Sequence, residues 1–370
     1  MNSNEPMIVW ITPDHFLNVD CNVVPHLARF YPIDWILVSA PRSGRGSDGL
    51  INDTFRPREY RLRYRLRDPR IALQYVQLLS TIRENKFKLL YTSFHGLPYF
   101  FPALATMIDL NKVIYAAHNV NTPRGASSER SMRLYQNFAF KTLRRFHVFS
   151  RYQLRTIQAM LPHKRHYYAP FVPDDYGASS AAPPNDRIRF VSFGYIREYK
   201  RLDILIGAFK ALYAEGFQNI ELIIAGRCDN WAPYEAMVDS HPRIHATIGT
   251  VRNTDIPNLI SSAHYVVLPY QDGAQSAVLP LAYRYGRPVI TSDIDAFGEW
   301  VLEGKTGFRF RNLSHESLRD VMRARILAHS TSYEAVTECV RSHFQSNYAL
   351  SDILGRYRAF LDSALLEIDG

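Results

Sequence analysis

At 370 residues, 46% hydrophobic and 21% charged, the chain is long enough for two ordinary domains and too apolar for wholesale disorder. Its three cysteines, Cys21, Cys228 and Cys339, stand far apart without CxxC spacing, which argues against a disulfide framework or a cysteine zinc site and suits a reducing compartment. The net charge of +9 fits either simple solubility or attraction to an anionic partner.

The N-terminus, MNSNEPMIVWITPDH, has no basic flank before its short apolar run, so it reads as a first β-strand over 7–12 and not as a signal peptide. No stretch approaches the ~20 apolar residues of a spanning helix. Further strands are expected at 34–40, 89–94, 112–120 and 146–150, with helical patterns near 69–85, 98–109 and 127–144. Seven arginines fall in RPREYRLRYRLRDPR (56–70), which suits a solvated face or a patch for a membrane or an anionic acceptor. Nucleic acid is disfavoured, because nothing else in the chain resembles a nucleic-acid module. The stretch RSMRLYQNFAFKTLRRFHVF (130–149) mixes cations with Phe, Tyr and Leu. It reads as a helix covering the sheet or as one lying on an anionic membrane surface.

The segment YAPFVPDDYGASSAAPPNDR (168–187) breaks this alternation and is the linker candidate. Strands then resume at 187–196, 220–227, 244–251, 264–270, 288–293 and 306–310. Helices are expected at 200–215, 254–261, from about Gln275 to Gly286, and at 314–328, 331–347 and 349–366. The fold class that follows is α/β, with Rossmann-like domains at 1–175 and 188–345. A linker spans 176–187, and a C-terminal helical segment, 346–370, returns toward the first domain. Open sheets of this kind bind ligands beyond the C-terminal ends of their strands. Neither half has GxGxxG after its first strand, and there is no Walker A motif, which weakens a dehydrogenase or P-loop reading.

Three stretches carry a resemblance: FVSFGYIREYKRLDILIGAF, IIAGR, and DIPNLISSAHYVVLPYQDGAQSAVLPLAYRYGRPVITSDIDAFGEWVLEGKTGFRF. Together they resemble the donor-binding domain of GT-B glycosyltransferases, and within these the retaining family four, glycosyl transferases group 1. The resemblance runs from about residue 188 to 312 and is weaker before it. It implies two Rossmann-like domains facing each other across a cleft and a nucleotide-diphosphate sugar as donor. It implies no cofactor and no metal, and the sequence has neither a DxD-like pair nor metal-ligand spacing among His241, His245 and His264.

Residue by residue, the family has Arg directly after the glycine that ends the first donor-domain strand and Lys five positions later. Here Gly194 is that glycine, Tyr195 stands in place of the Arg, and Lys200 holds the Lys position. Arg197, between them, is expected to replace the lost charge. Fixed cations there stabilise a departing diphosphate. Gly226 and Arg227 of IIAGR are further donor-binding positions. The family's Glu-x7-Glu pair falls on Gly273 and Leu281, so both carboxylates are missing. Backbone amides at Gln275, Ser276 and Ala277 still offer a phosphate site. Gln275 can hydrogen-bond the sugar, and Asp272 lies one residue from the first lost Glu. Val251 and Arg252 are expected against the nucleobase, Asp255 as a helix cap and Glu299 as a loop brace. In the first domain His118 matches a family histidine that contacts the donor sugar, although a buried structural histidine has the same pattern. Asp14 and His15 occupy the loop where inverting relatives of this architecture keep a general base.

These readings converge on a glycosyltransferase acting on a glycan or polyprenyl-linked acceptor, with retention, in bacterial exopolysaccharide, capsule or lipopolysaccharide assembly. The expected location is the cytoplasm, with attachment to the inner face of the cell membrane as the variant the basic helix allows. The alternatives are an inverting enzyme using Asp14 or His15, a nucleotide-sugar 2-epimerase whose carboxylate set is not evident, and a non-catalytic sugar-nucleotide binding protein.

Overall fold

The computed structural model describes residues 7–41, 55–65, 68–96, 98–120, 129–273 and 276–369. Two compact units result. One runs from the N-terminal stretch to Val172 and takes back the chain from Leu350 onward; the other spans Pro173–Ala349. No helix among the described residues is long and apolar enough to cross a membrane.

The first unit is built on strands β1 (Ile8–Pro13), β2 (Ile33–Ser39), β3 (Arg58–Arg61), β4 (Leu89–Thr92), β5 (Val113–Ala116), β6 (Arg145–Val148) and β7 (Arg165–Tyr168). They lie in the order β3-β2-β1-β4-β5-β6-β7, and every pair is parallel. Successive residues of a strand point to opposite faces, so one apolar run feeds two cores. Val9 and Ile11 pack under the helices Ile71–Glu84 and Phe100–Met107, while Ile8 and Trp10 enter the opposite core. That second core is closed by the C-terminal helix Leu350–Asp369, whose Tyr357, Phe360 and Leu361 are buried there. Tyr31 anchors this helix by donating to Asp362 Oδ1 at 2.6 Å. Truncating a buried aromatic such as Phe360 to Ala costs about 3–5 kcal/mol.

Two strands were not expected from the sequence, and both are edges of the sheet. β3 reads REYR and is mostly exposed; β7 reads RHYY. An edge strand shows one side to water and loses the apolar signature of a central strand. The arginine-rich stretch is therefore partly sheet edge, and several of its cations pair locally: Arg58 with Asp34 at 2.9 Å, Arg61 with Glu59 at 3.1 Å and Arg70 with Asp68 at 2.8 Å. Arg67 of that stretch lies outside the described residues. The helix Arg151–Met160 was also not expected, although SRYQ carries a capping-box pattern and the Ser150 hydroxyl does accept from the Gln153 N–H at 3.1 Å.

The second unit holds β8 (Ile188–Phe193), β9 (Ile220–Gly226), β10 (Ile244–Ile248), β11 (Tyr265–Leu268), β12 (Val289–Ser292) and β13 (Gly307–Phe310). Their order is β10-β9-β8-β11-β12-β13, again all parallel. In each sheet the chain first builds outward on one side and then crosses to the other. The reversals fall between β1 and β4 and between β8 and β11. A crevice opens at such a reversal, because the loops after the two strands diverge to opposite faces.

Candidate functional site

In the second unit that crevice lies beyond the ends of β8 and β11. Gly194 follows β8 at φ +109°, and Gly226 ends β9 at φ +145°. A Cβ on Gly226 would fall 2.0 Å from the Gly194 carbonyl oxygen, so the two backbones meet only because no side chain intervenes. The Gly194 N–H donates to Ala225 O at 3.0 Å, and the Ile196 N–H to Arg227 O at 2.8 Å. These bonds pull the loop from Gly194 to Lys200 over the end of the sheet.

Lys200 closes that loop as the last residue of a 3-10 turn, Glu198–Lys200, before the helix Leu202–Ala214. Arg201 makes the bend in a left-handed conformation (φ +48°), braced by three hydrogen bonds to Asp203 at 2.9, 3.2 and 2.6 Å. The Lys200 ammonium is thereby turned inward, 3.3 Å from where a Gly194 Cβ would sit and 5.0 Å from the centroid of the Tyr270 ring. Burial lowers its pKa, the Tyr199 hydroxyl opposes this, and neighbouring Arg197 adds to it. Among the described residues the ammonium has no carboxylate within ion-pair distance. A half-buried cation without a counter-ion is costly, and a bound anion removes the cost.

The second wall follows β11. The Gln271 N–H donates to Tyr199 O at 2.7 Å and Arg201 Nη1 to Gln271 Oε1 at 3.4 Å, tying the two loops together. Burial pushes the Tyr270 hydroxyl up to about 12, opposed by the nearby Ser276 side chain. Asp272 turns back on the chain, its Oδ1 accepting from the Gly273 N–H at 2.7 Å. The helix begins at Val278, with Ala277 as its cap residue, slightly later than the sequence suggests. Gln275 lies outside the described residues.

Tyr195, where the family has Arg, carries a guanidinium on its ring. Arg197 Cζ lies 4.1 Å and Arg227 Cζ 5.2 Å from the ring centroid. The Tyr195 hydroxyl donates to Asp229, which also pairs with Arg227 at 3.2 Å. Residues from the loops after β8 and β9 thus form one cationic stack beside Lys200, a connection the sequence did not reveal. Val251 is half-buried, packed on the core, while Arg252 is exposed. Asp255 does not cap the helix Ile256–Ser261 with its side chain, because the Arg252 guanidinium takes the carboxylate at 2.7 and 3.1 Å. Glu299 is the half-buried residue that ends the short helix Asp295–Gly298.

In the first unit three expected residues come together at the C-terminal end of the sheet. Asp14 and His15 turn after β1, and Phe16 stacks on His118, which follows β5. His118 also stacks on Phe149 at 4.6 Å. Burial holds its pKa well below the ordinary value, helped by His95, His15 and His147, so it is neutral at physiological pH. Burial raises the Asp14 pKa, but hydrogen bonds from His15 and the Ala40 N–H outweigh it and bring it to about 2. His95 was missed, although it follows β4 as His118 follows β5. It meets the Tyr115 hydroxyl at 2.9 Å, and burial lowers it to about 4. Asp20 was missed as well. It is a buried carboxyl accepting from Thr12 Oγ1 at 2.5 Å, and Thr12 in turn accepts from Trp35 Nε1 at 2.8 Å.

Two parallel Rossmann-like sheets, with a half-buried lysine at the crevice of the second, have the architecture of the GT-B fold. Residues 187–326 match the family of glycosyl transferases group 1, and no curated protein sequence gives a significant match. Among solved structures, sucrose-phosphate synthase from Thermosynechococcus elongatus is similar at TM-score 0.75 and 13% identity, over 96% of this chain and 99% of that one. Anabaena HepE in complex with UDP and glucose gives 0.74 and 13%, over 97% and 100%. WaaG, a glycosyltransferase involved in lipopolysaccharide biosynthesis, gives 0.67 and 17%, over 95% and 98%. These likenesses establish the fold over nearly the whole chain, and the match to the glycosyl transferases group 1 family falls on the second unit.

Proposed function

We propose that the protein moves a sugar from a nucleotide-diphosphate donor to a hydroxyl of a glycan or lipid-linked glycan, with retention of configuration, in bacterial surface-polysaccharide assembly. The observation that carries this reading is the half-buried Lys200 ammonium at the β8/β11 crevice, without a carboxylate partner among the described residues. Negative charge develops on the leaving diphosphate, and a cation already desolvated and aimed at it stabilises that charge without reorganisation. Arg197 adds charge beside it, the amides before Val278 complete the phosphate cradle, and no metal is required. His118 is assigned to sugar contact, as a neutral ring able to hydrogen-bond. The complex of HepE with UDP makes UDP the first nucleotide to test.

A thermal-shift panel of UDP, GDP, ADP and dTDP tests the donor site, since a ligand that binds only the native state raises its midpoint. One nucleotide should do so. If none shifts the midpoint at millimolar concentration, the reading fails. The anomeric configuration of the product, read by NMR, tests retention. An inverted product would favour the second reading, in which the hydrogen-bonded Asp14–His15 pair serves as base. A lipid-linked acceptor also fits the helix Glu129–Thr142, where Leu134 is 73% exposed and Phe138 40% beside Lys141. Flotation with anionic vesicles tests that attachment, and recovery of Leu134→Glu at the parent level would reject it.

A further inference from the structure

A cavity of about 580 Å³ opens in the second unit, between the start of the helix Leu202–Ala214 and the helix Ala232–Val238. It is separate from the phosphate cradle. Lys200, Tyr270, Gly194, Val251 and Arg252 do not line it, whereas Arg197 and Gln271 form its border with the donor loops. Its volume falls within the range of small-ligand sites. We propose that it is a second saccharide subsite, holding a neutral sugar unit of the acceptor or product glycan beside the donor site. The proposal rests on the glycosyltransferase reading above.

The lining has the chemistry of a polyol site and not that of a second anion site. Arg201 is already neutralised by Asp203, paired at 2.6 Å, so the pocket does not present a bare cation cluster. The Glu198 carboxylate and the Asn230 side-chain amide have no side-chain hydrogen bond or ion pair among the described residues, and both border the space. Carboxylate oxygens accept from sugar hydroxyls, while amide and guanidinium N–H groups donate to them. A sugar hydroxyl, which both donates and accepts, therefore meets matched partners. One wall is apolar, formed by Tyr234 and Met237, and suits the C–H face of a pyranose. The Tyr234 hydroxyl feels the charges of the polar wall. Burial raises its pKa first, with Asp203, Cys228 and Glu198 adding to the rise and Arg201 opposing it. A phosphate would be repelled by the Glu198 carboxylate.

The test is saturation-transfer NMR on the full chain with glucose, N-acetylglucosamine, galactose and maltose as separate probes, each without and with saturating UDP. The inference expects transfer to at least one saccharide. That signal should persist with UDP bound and fall several-fold in Tyr234→Ala and in Glu198→Gln, the second a conservative change at an exposed residue. Three results overturn it: no transfer to any probe, transfer abolished by UDP, or transfer unchanged in both variants. The UDP thermal shift of the same samples reports folding and separates the two claims. A preserved shift without saccharide transfer removes the subsite alone, whereas absence of transfer together with no shift from any nucleotide of the panel in the parent chain removes the donor reading too.

Discussion

The ammonium of Lys200 lies 5.0 Å from the centroid of the Tyr270 ring, at the point where the second sheet reverses its order. One residue ends the loop after β8 and the other follows β11, so the contact exists only because those strands are neighbours. An aromatic face stabilises a desolvated ammonium by roughly 0.5–2 kcal/mol, too little to replace a full counter-ion. The site is thus organised before any anion arrives.

Replacing Lys200 by Ala should abolish the nucleotide-induced thermal shift and lower turnover by about 100-fold or more, as removal of a fixed transition-state contact does elsewhere. The parent and variant should melt within a few degrees of each other without nucleotide. An unchanged nucleotide shift in the variant would remove Lys200 from the site.

Tyr195 should matter through the guanidinium it carries. Tyr195→Ala removes the platform under Arg197 and Arg227 and should weaken nucleotide binding about 2- to 5-fold, the size of an exposed cation–π contact. Tyr195→Phe keeps the ring, loses only the bond to Asp229, and should bind close to the parent. Calorimetric titration distinguishes the two, and equal losses would reject the platform role.

Gly226→Ala places a methyl 2.0 Å from the Gly194 carbonyl oxygen and forces alanine to φ +145°. Backbone strain of this kind costs about 1–3 kcal/mol, and the clash adds to it. The urea midpoint should fall correspondingly, and the nucleotide shift should weaken with it because Gly194 is displaced. A midpoint equal to the parent's would show that β8 and β9 part without penalty.

Asp20 sets a pH dependence of stability. Burial raises its pKa from the usual carboxylate range to about 7, with the Thr12 hydrogen bond opposing the rise. The unfolded chain has already lost this proton at about pH 4. Between those values the native state holds a proton the unfolded state lacks, so stability falls as pH rises from about 4 to 7 and is level above. Asp20→Asn removes this dependence and should exceed the parent in stability at pH 8 while matching it at pH 4. Identical urea midpoints at both pH values would refute the assignment.

Much of this molecule is legible in one dimension, because the central strands of a parallel sheet are covered on both faces and so must be apolar throughout. MIVWIT, DWILVSA and IELIIAGR can hardly be anything else, and their alternation with helices implies two Rossmann-like halves. The same logic hides β3 and β7, whose REYR and RHYY are only partly covered at the sheet edges. Gly194 and Lys200 could be placed from a local pattern, since a strand, a turn and a helix start fix one another within a few residues. What surrounds them could not be. Tyr270 over Lys200, Arg227 on Tyr195 and Phe16 on His118 each join loops from strands distant in the chain. The sequence determined the central strands and the motif; only the sheet order, which parallel crossovers set, decided which loops share a crevice and which cation is left in it without a carboxylate.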